Sequence, residues 1–378
     1  MLQALRAQLD LDGRVYFNHG GQGLLPESSL ERLIWCYRHW RRCGPFSQQA
    51  ERLAAEQVQR TREALATQLG VAGSTLSWAE STSHSLNIAL WGLDWRPGDG
   101  LLVSDCEHPG ALAPACRVAE RFGLQRQSVA LSPAADPLAA VEAALQPNTR
   151  LVLLSHVLWN SGRVLPVDQM TRLCRERGVL VLWDGAQGAG VLPLDYSQVD
   201  LYASTCHKWW MGPAGTGFLY VSERVRPRLQ PTYVGWRSAE RYWPDPVWYP
   251  DGRAFEVATI PVELLAALEQ SLALHAQAGS ADLRARAIRD LAGQLWERLK
   301  ADPQVELLAE QPPEAGLVCW RPKRALTFAD LRSRVQWLEA RGIFVRAIPQ
   351  PLCLRASVHY FNTTGEIAAL LEALERLD

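Results

Sequence analysis

The chain has 378 residues, 48% of them apolar and 21% charged, with a formal net charge of −1. That is the composition of a globular chain long enough for one large domain or two ordinary ones. It excludes the basic footprint of a nucleic-acid or anionic-membrane binder, and no run of about 18 apolar residues marks a membrane span.

The N-terminal stretch MLQALRAQLDLDGR is charged and lacks the apolar region of a signal peptide. Residues 27–42 read as an aromatic-rich amphipathic helix ending near Cys43-Gly44-Pro45, and a second helix covers 51–69. Beyond it, short apolar runs at 101–105, 151–157, 179–186, 201–206 and 217–222 alternate with helical patterns at 83–93, 109–122 and 167–177. Strand, helix, strand in this order predicts an α/β sheet covered on both faces. The Pro-, Trp- and Tyr-rich stretch 230–251 has no clear period and reads as a long structured loop, which in a compact domain is usually functional. Helices at 261–276 and 281–299, short strands at 316–321 and 343–348, and a last helix at 365–376 predict a second, α+β unit. The expected division is a large domain over 15–250 and a smaller one over 251–378, with residues 1–14 packed on the latter. Eight scattered cysteines show no CxxC pair and no zinc-like histidine spacing. They read as reduced thiols of a cytoplasmic protein.

Lysine occurs only at 208, 300 and 323. Lys208 lies in STCHKWWMGPAGTGF, just past an apolar run, where an open α/β sheet binds its ligands. A desolvated lysine there loses its charge readily and attacks carbonyls; the plain alternative is a snorkelling surface side chain. Asp184, in WDGAQGAG, ends another buried strand. A carboxylate so placed needs a positive partner, such as a cationic ring nitrogen, unless it merely caps the next helix. An aspartate at one strand end and a lysine at the next but one would match the pair that a pyridoxal phosphate enzyme requires. Thr82, Ser83 and His84 open a helix whose free N–H groups would suit a phosphate, or form an ordinary cap. Thr205 and His207 add donors beside the lysine, and His108 at a strand end offers an imidazole plane to cover a ring. Asn160 and Trp159 follow another strand. Arg346 and Arg355 bracket a proline-containing turn and suit substrate carboxylates, although arginine is common throughout the chain. The glycines after Lys208 are expected to let the backbone pass close to a cofactor.

Longer strings carry a resemblance over nearly the whole chain. They are YFNHGGQGLLP (16–26), WGLDW (91–95), DCEHPG (105–110), LSHVLWNSGRVLP (154–166), HKWWMGPAGTG (207–217), PTYVGWRS (231–238), FEVAT (255–259) and RAIPQPLCLRA (346–356). They resemble the class V aminotransferase-like group of fold-type I pyridoxal phosphate enzymes, which includes the cysteine desulfurases, and most of all its cysteine/cystine C–S lyases. The resemblance implies a large domain with a mixed, mostly parallel sheet between helices, a smaller C-terminal α+β domain, and pyridoxal 5'-phosphate as cofactor. It implies that Lys208 bonds the cofactor, Asp184 faces the ring nitrogen, Gln187 the ring hydroxyl, and His108 stacks on the ring. Thr82, Ser83, Thr205 and His207 would surround the phosphate. Thr259 would reach the phosphate of the other subunit of a homodimer, and Trp236 would wall its pocket. Arg346, Arg355 and Asn160 would bind an amino-acid substrate.

The implied activity is β-elimination of sulfur from cystine or cysteine to give pyruvate and ammonia, with a sulfur or iron–sulfur acceptor protein as a potential partner. The alternatives are a cysteine desulfurase, another class V aminotransferase activity, and a non-catalytic cofactor-binding protein. Three departures bear on the choice. His84 stands where the group has glycine or glutamate, STCHK replaces SGHK or TGHK, and Trp159 rather than Asn160 is in register with the group's asparagine. No counterpart of the desulfurase nucleophile is evident, the turn between Arg346 and Arg355 holding only Cys353.

Overall fold

The structure is a computed structural model that describes residues 2–132, 136–324 and 326–377, with residues 2–4 described in backbone only. Helix α1 (Leu2–Ala7) and strand β1 (Val15–Tyr16) lead into α2 (Glu27–Cys43) and α3 (Gln48–Leu69). The sheet strands follow as β2 (Leu76–Ala79), β3 (Gly100–Ser104), β4 (Gln125–Val129), β5 (Thr149–Ser155), β6 (Leu180–Asp184), β7 (Leu201–Thr205) and β8 (Gly217–Val221). Between them run α4 (Thr82–Gly92), α5 (Pro109–Phe122), α6 (Pro137–Ala144) and α7 (Val167–Glu176). The sheet order is β2-β8-β7-β6-β5-β3-β4. The five strands β3 to β7 are parallel, and the reversed β8 pairs antiparallel with both β7 and the edge strand β2.

Strand periodicity explains the two covered faces. Val152, Leu154, Val181 and Trp183 enter one core, and their alternating neighbours Leu151, Leu153, Leu180 and Leu182 enter the other. The mixed, mostly parallel sheet between helices is therefore present. So is the second unit, in which an antiparallel sheet of order β11-β12-β15-β14 packs against helices. Its strands are β11 (Val305–Leu307), β12 (Leu317–Pro322), β14 (Arg346–Pro349) and β15 (Leu352–Ser357). The preceding β13 (Ile343–Phe344) pairs in parallel with β1. The helices of this unit are α9 (Ala281–Lys300), α10 (Phe328–Glu339) and α11 (Thr364–Glu375).

The division at residue 250 needs moving. Helix α8 (Val262–Gln277) buries Leu265, Leu268 and Leu272 in the core of the large sheet. Upstream of it, Phe255 joins the opposite face, and Glu256 makes a buried ion pair with Arg62 of α3 at 2.7 Å. Packing thus carries the first unit through α8. The stretch 230–251 is largely exposed, runs through bends and turns, and holds two short strands, β9 (Ala239–Arg241) and β10 (Val247–Trp248). At the N-terminus, Arg6 binds Glu366 of α11 at 2.9 Å, tying residues before β1 to the second unit.

A buried histidine cluster lies where the N-terminal strand meets the C-terminal segment. His19 and His359 have ring centres 4.7 Å apart, His359 and His275 5.9 Å, and the Tyr360 hydroxyl meets His275 Nδ1 at 2.7 Å. Burial drives His19 and His275 down to about 3, and His359 far down as well. In the unfolded chain these groups titrate near 6.5. Above that pH both states are neutral and the stability is intact; below it the unfolded state takes up protons first, and stability falls as pH drops toward the folded values. By pH 5 each buried histidine costs about 2 kcal/mol. Glu107, raised to about 7, works in the opposite direction and offsets about one of them. The urea midpoint should therefore be clearly lower at pH 5 than at pH 7; an equal or higher midpoint contradicts this reading.

Candidate active site

The carboxyl ends of the parallel strands converge on one cavity of about 450 Å³. Register places Ser155 of β5 beside Asp184 of β6, and Asp184 beside Ala203 of β7, so these ends form a continuous wall. Two segments close the cavity from other directions. One is the loop at residues 18–22, and the other is the antiparallel pair β14–β15, which brings Arg346 directly opposite Arg355.

Lys208 lines this cavity three residues beyond β7. Burial lowers its pKa to about 8; Asp184 opposes that shift and Arg355 adds to it. A fraction of the amine is therefore uncharged near neutral pH, far more than for an ordinary lysine, as a nucleophilic or basic lysine requires. The loop at 18–23 is clamped to it. The Gly23 N–H donates to His207 O at 2.7 Å, and a Cβ at Gly23 would stand 2.1 Å from Lys208 O, so only glycine fits. Gly212 and Gly215, by contrast, do not line the cavity. A Cβ at Gly212 would strike Leu268, and Gly215 takes a positive φ of 87°. Gly212 and Gly215 therefore serve helix packing and a turn, while Gly217 lets β8 pass close to Ser81, whose backbone carbon would stand 3.1 Å from a Cβ there.

Asp184 is buried, and its Oδ1 accepts the Ala186 N–H at 2.9 Å, so it does cap the following turn. Burial raises its pKa, while that bond and Lys208 pull it down. His108 caps α5, its Nδ1 accepting the Gly110 N–H at 3.0 Å, which presents Nε2 and the ring to the cavity. Its ring stands 5.0 Å from that of Trp159, edge to face. Burial, with Lys208 and Arg355 nearby, lowers it to about 4, so it is neutral at pH 7. Gln187 spends Oε1 on Trp209 Nε1 and one Nε2 hydrogen on Gly20 O, both at 2.9 Å, leaving one donor hydrogen.

The phosphate-like end is built around α4. Ser81 caps that helix by accepting the His84 N–H at 3.2 Å, and the first-turn amides of Thr82 and Ser83 have no carbonyl within the helix to serve. Thr82 Oγ1 is buried without a hydrogen-bond partner. Thr205 Oγ1 and His207 Nδ1 sit 2.6 Å apart across from it, and all four of these residues line the cavity. His84 turns away instead, its Nδ1 accepting the Glu80 N–H at 3.3 Å, which accounts for the tolerance of a histidine there. An orphaned hydroxyl, free helix amides, a depressed lysine and a buried carboxylate in one cavity fit pyridoxal 5'-phosphate.

Arg355 is 3% exposed, donates to Trp159 O at 2.7 Å, and keeps its Nε unpartnered. Among the described residues no carboxylate pairs with it. Two guanidinium groups directly opposite on neighbouring strands repel, and an anionic ligand relieves that cost. The remaining expected residues lie outside the cavity. The amide of Asn160 is tied to Gln350 O at 3.1 Å, and it is Trp159 that lines the wall. Thr259 and Trp236 are exposed, Trp236 at 57%. Asn18, Gly20, Ser155 and the adjoining Glu107 were not singled out in sequence; only the string NHGGQG and the strand-end position of Ser155 hinted at them.

The family model described as aminotransferase class-V matches residues 15–370. The chain shares 40% identity with C-DES, solved as a mutant with glycine covalently linked to the PLP cofactor, covering 98% of both chains at a TM-score of 0.94. A second structure, the cystine C–S lyase C-DES in complex with its reaction product cysteine persulfide, matches at 40% identity over 96% of this chain and 98% of that one, with a TM-score of 0.93. Isopenicillin N epimerase of Streptomyces clavuligerus is 30% identical over 98% of this chain and 97% of its own length. A probable cysteine desulfurase of Methanothermobacter thermautotrophicus is 28% identical over 86% and 84%. With the family model matching nearly the whole length, and with lysine, aspartate and unpartnered helix amides meeting in one cavity, the chain belongs to the aminotransferase class-V family of fold-type I PLP enzymes.

Proposed function

We propose that the protein is a C–S lyase that removes sulfur from cystine or cysteine by β-elimination, yielding pyruvate and ammonia. The observation that carries this is a cavity holding Lys208, Asp184 and both arginines, with no cysteine among the described residues that line it. Lys208 would hold the cofactor, Asp184 would meet its ring nitrogen, His108 would cover the ring, and Thr82, Ser83, Thr205 and His207 would take the phosphate. When bound, the cofactor supplies an electron sink for the substrate.

The residues then divide the work. Arg355 binds the carboxylate of the reacting half, and Arg346 stands beside it for a second carboxylate. The free Lys208 amine, at about 8, accepts the Cα proton at Nζ. The Cβ–S bond then breaks and the sulfur departs with its electron pair. A persulfide leaves more readily than a thiolate, because its conjugate acid is stronger. Hydrolysis of the remaining three-carbon fragment completes the products. Asp184, kept in a buried setting, favours a protonated nitrogen opposite it throughout.

A desulfurase needs a thiol at the substrate. Cys353 is fully buried against Cys319 and Ile348, and its Sγ reaches toward Asn160 O at 3.9 Å. Cys353 is 0% exposed and does not line the cavity, so its thiol does not meet a substrate bound there. Cys353→Ser should therefore retain cystine turnover within about threefold, without added thiol; loss of activity together with a trapped persulfide on Cys353 would overturn the lyase reading in favour of the desulfurase.

The active unit is read as a homodimer. Exposed Trp236, Trp243, Trp248 and Tyr233 in 230–251, with Trp35 and Tyr37 on α2, offer apolar surface, and exposed Thr259 would reach the partner's phosphate site. A solution mass of 42.1 kDa, that of one chain, contradicts this. Eight free cysteines suit a reducing, cytoplasmic setting, and no described helix is long and apolar enough to cross a membrane.

A further inference from the structure

Glu107 precedes His108 in the connection between β3 and α5 and is buried. Its Oε1 accepts from Ser104 Oγ at 2.6 Å and from the Ser155 N–H at 3.1 Å, and its Oε2 accepts from Ser155 Oγ at 2.6 Å. Ser104 Oγ accepts the Cys106 N–H at 3.2 Å, so its own proton is free to point at Glu107. The Ser155 N–H can only donate, and both serine hydroxyls can turn a proton toward Glu107, an arrangement that suits the carboxylate in its ionised form.

Ser155 has one hydroxyl proton, and Glu107 takes it. Toward the cavity, which Ser155 lines, its oxygen can then only accept. Its register partner on β6 is Asp184, likewise an acceptor. We propose that Glu107 is a positioning residue that acts through Ser155. By holding the serine proton, it makes the cavity wall at the ends of β5 and β6 an acceptor-only surface, which selects a bound ring whose nitrogen carries a proton. This rests on the reading that the pyridine ring binds against Asp184.

The substitution Glu107→Gln inverts the arrangement. The fixed Ser155 N–H keeps the amide oxygen at the Oε1 position, so the amide NH2 falls opposite Ser155 Oγ and the serine proton must turn into the cavity. Ser155→Ala removes that proton altogether. The test is the dissociation constant of pyridoxal 5'-phosphate, read from its visible absorbance on purified protein at pH 8, above the Glu107 value of about 7. Glu107→Gln should weaken binding roughly tenfold, and Ser155→Ala roughly threefold. The double variant should match Ser155→Ala alone, because Glu107 has nothing left to orient. If Glu107→Gln costs as much in the Ser155→Ala background as in the wild type, or costs nothing, the proposal is overturned. Should Glu107→Gln fail to fold, Ser155→Ala still decides: unchanged affinity overturns the proposal. Asp184→Asn separates this from the parent reading. If it leaves affinity unchanged, the ring nitrogen is not held at Asp184; if it weakens binding while the Glu107 and Ser155 variants do not, only the present proposal fails.

Discussion

Lys208→Ala should abolish turnover, by at least about 10³-fold, while leaving the fold and much of the phosphate affinity in place. The separation follows from the architecture. The phosphate donors come from α4 and from Thr205 and His207, whereas the base and covalent attachment come from one amine. General base catalysis alone contributes about 10²–10⁴, and loss of covalent attachment adds to it. Borohydride treatment of the wild type should fix the cofactor to the peptide that contains Lys208. The same treatment of Lys208→Ala should release it. A label on Lys300 or Lys323 instead, or more than a tenth of wild-type activity in the variant, contradicts the assignment.

Arg355→Ala should cripple every substrate. A charge-assisted pair with a carboxylate is worth about 1.5–3 kcal/mol, or roughly ten- to a hundredfold in affinity. Arg355 is buried and faces no carboxylate among the described residues, so its whole electrostatic role is open to a ligand. Loss of the fork should also misplace the Cα proton relative to Lys208 and slow the chemistry. Arg346 is exposed at the same register position, which suits the distal carboxylate of a disulfide substrate. Arg346→Ala should then cost cystine more in kcat/KM than cysteine. Equal losses would place both arginines on the shared carboxylate, and unimpaired cysteine turnover by Arg355→Ala would contradict the assignment of Arg355.

The sequence made the central strands easy to find, because β5 to β8 are buried on both faces and read as unbroken apolar runs. It hid β4, whose QRQSV buries only Gln127 and Val129 at the sheet edge, and the two-turn helix α6. Helix α10 was also missed; its FADLRSRVQWLE pattern buries only Leu331, Arg334 and Leu338. Lys208 and Asp184 were legible because charged residues at apolar strand ends are costly without a purpose. Arg346 and Arg355 were legible as a pair because a nine-residue spacing across one turn sets them opposite. Glu107, Ser155 and Asn18 were not, since their places beside the cavity arise from contacts between distant segments: Glu107 with β5, and Asn18 bridged to Ser357. The choice between Trp159 and Asn160 turned on one residue of register in the turn after β5, which apolar periodicity does not resolve.

The central claim is that sulfur leaves by elimination, without a protein thiol. The carbon product of cystine, measured under anaerobic conditions with no added thiol, tests it most directly. The account predicts pyruvate and ammonia in equal amounts, with cysteine persulfide as the sulfur product and no alanine. Alanine as the carbon product, with sulfur carried on a protein cysteine, would contradict it.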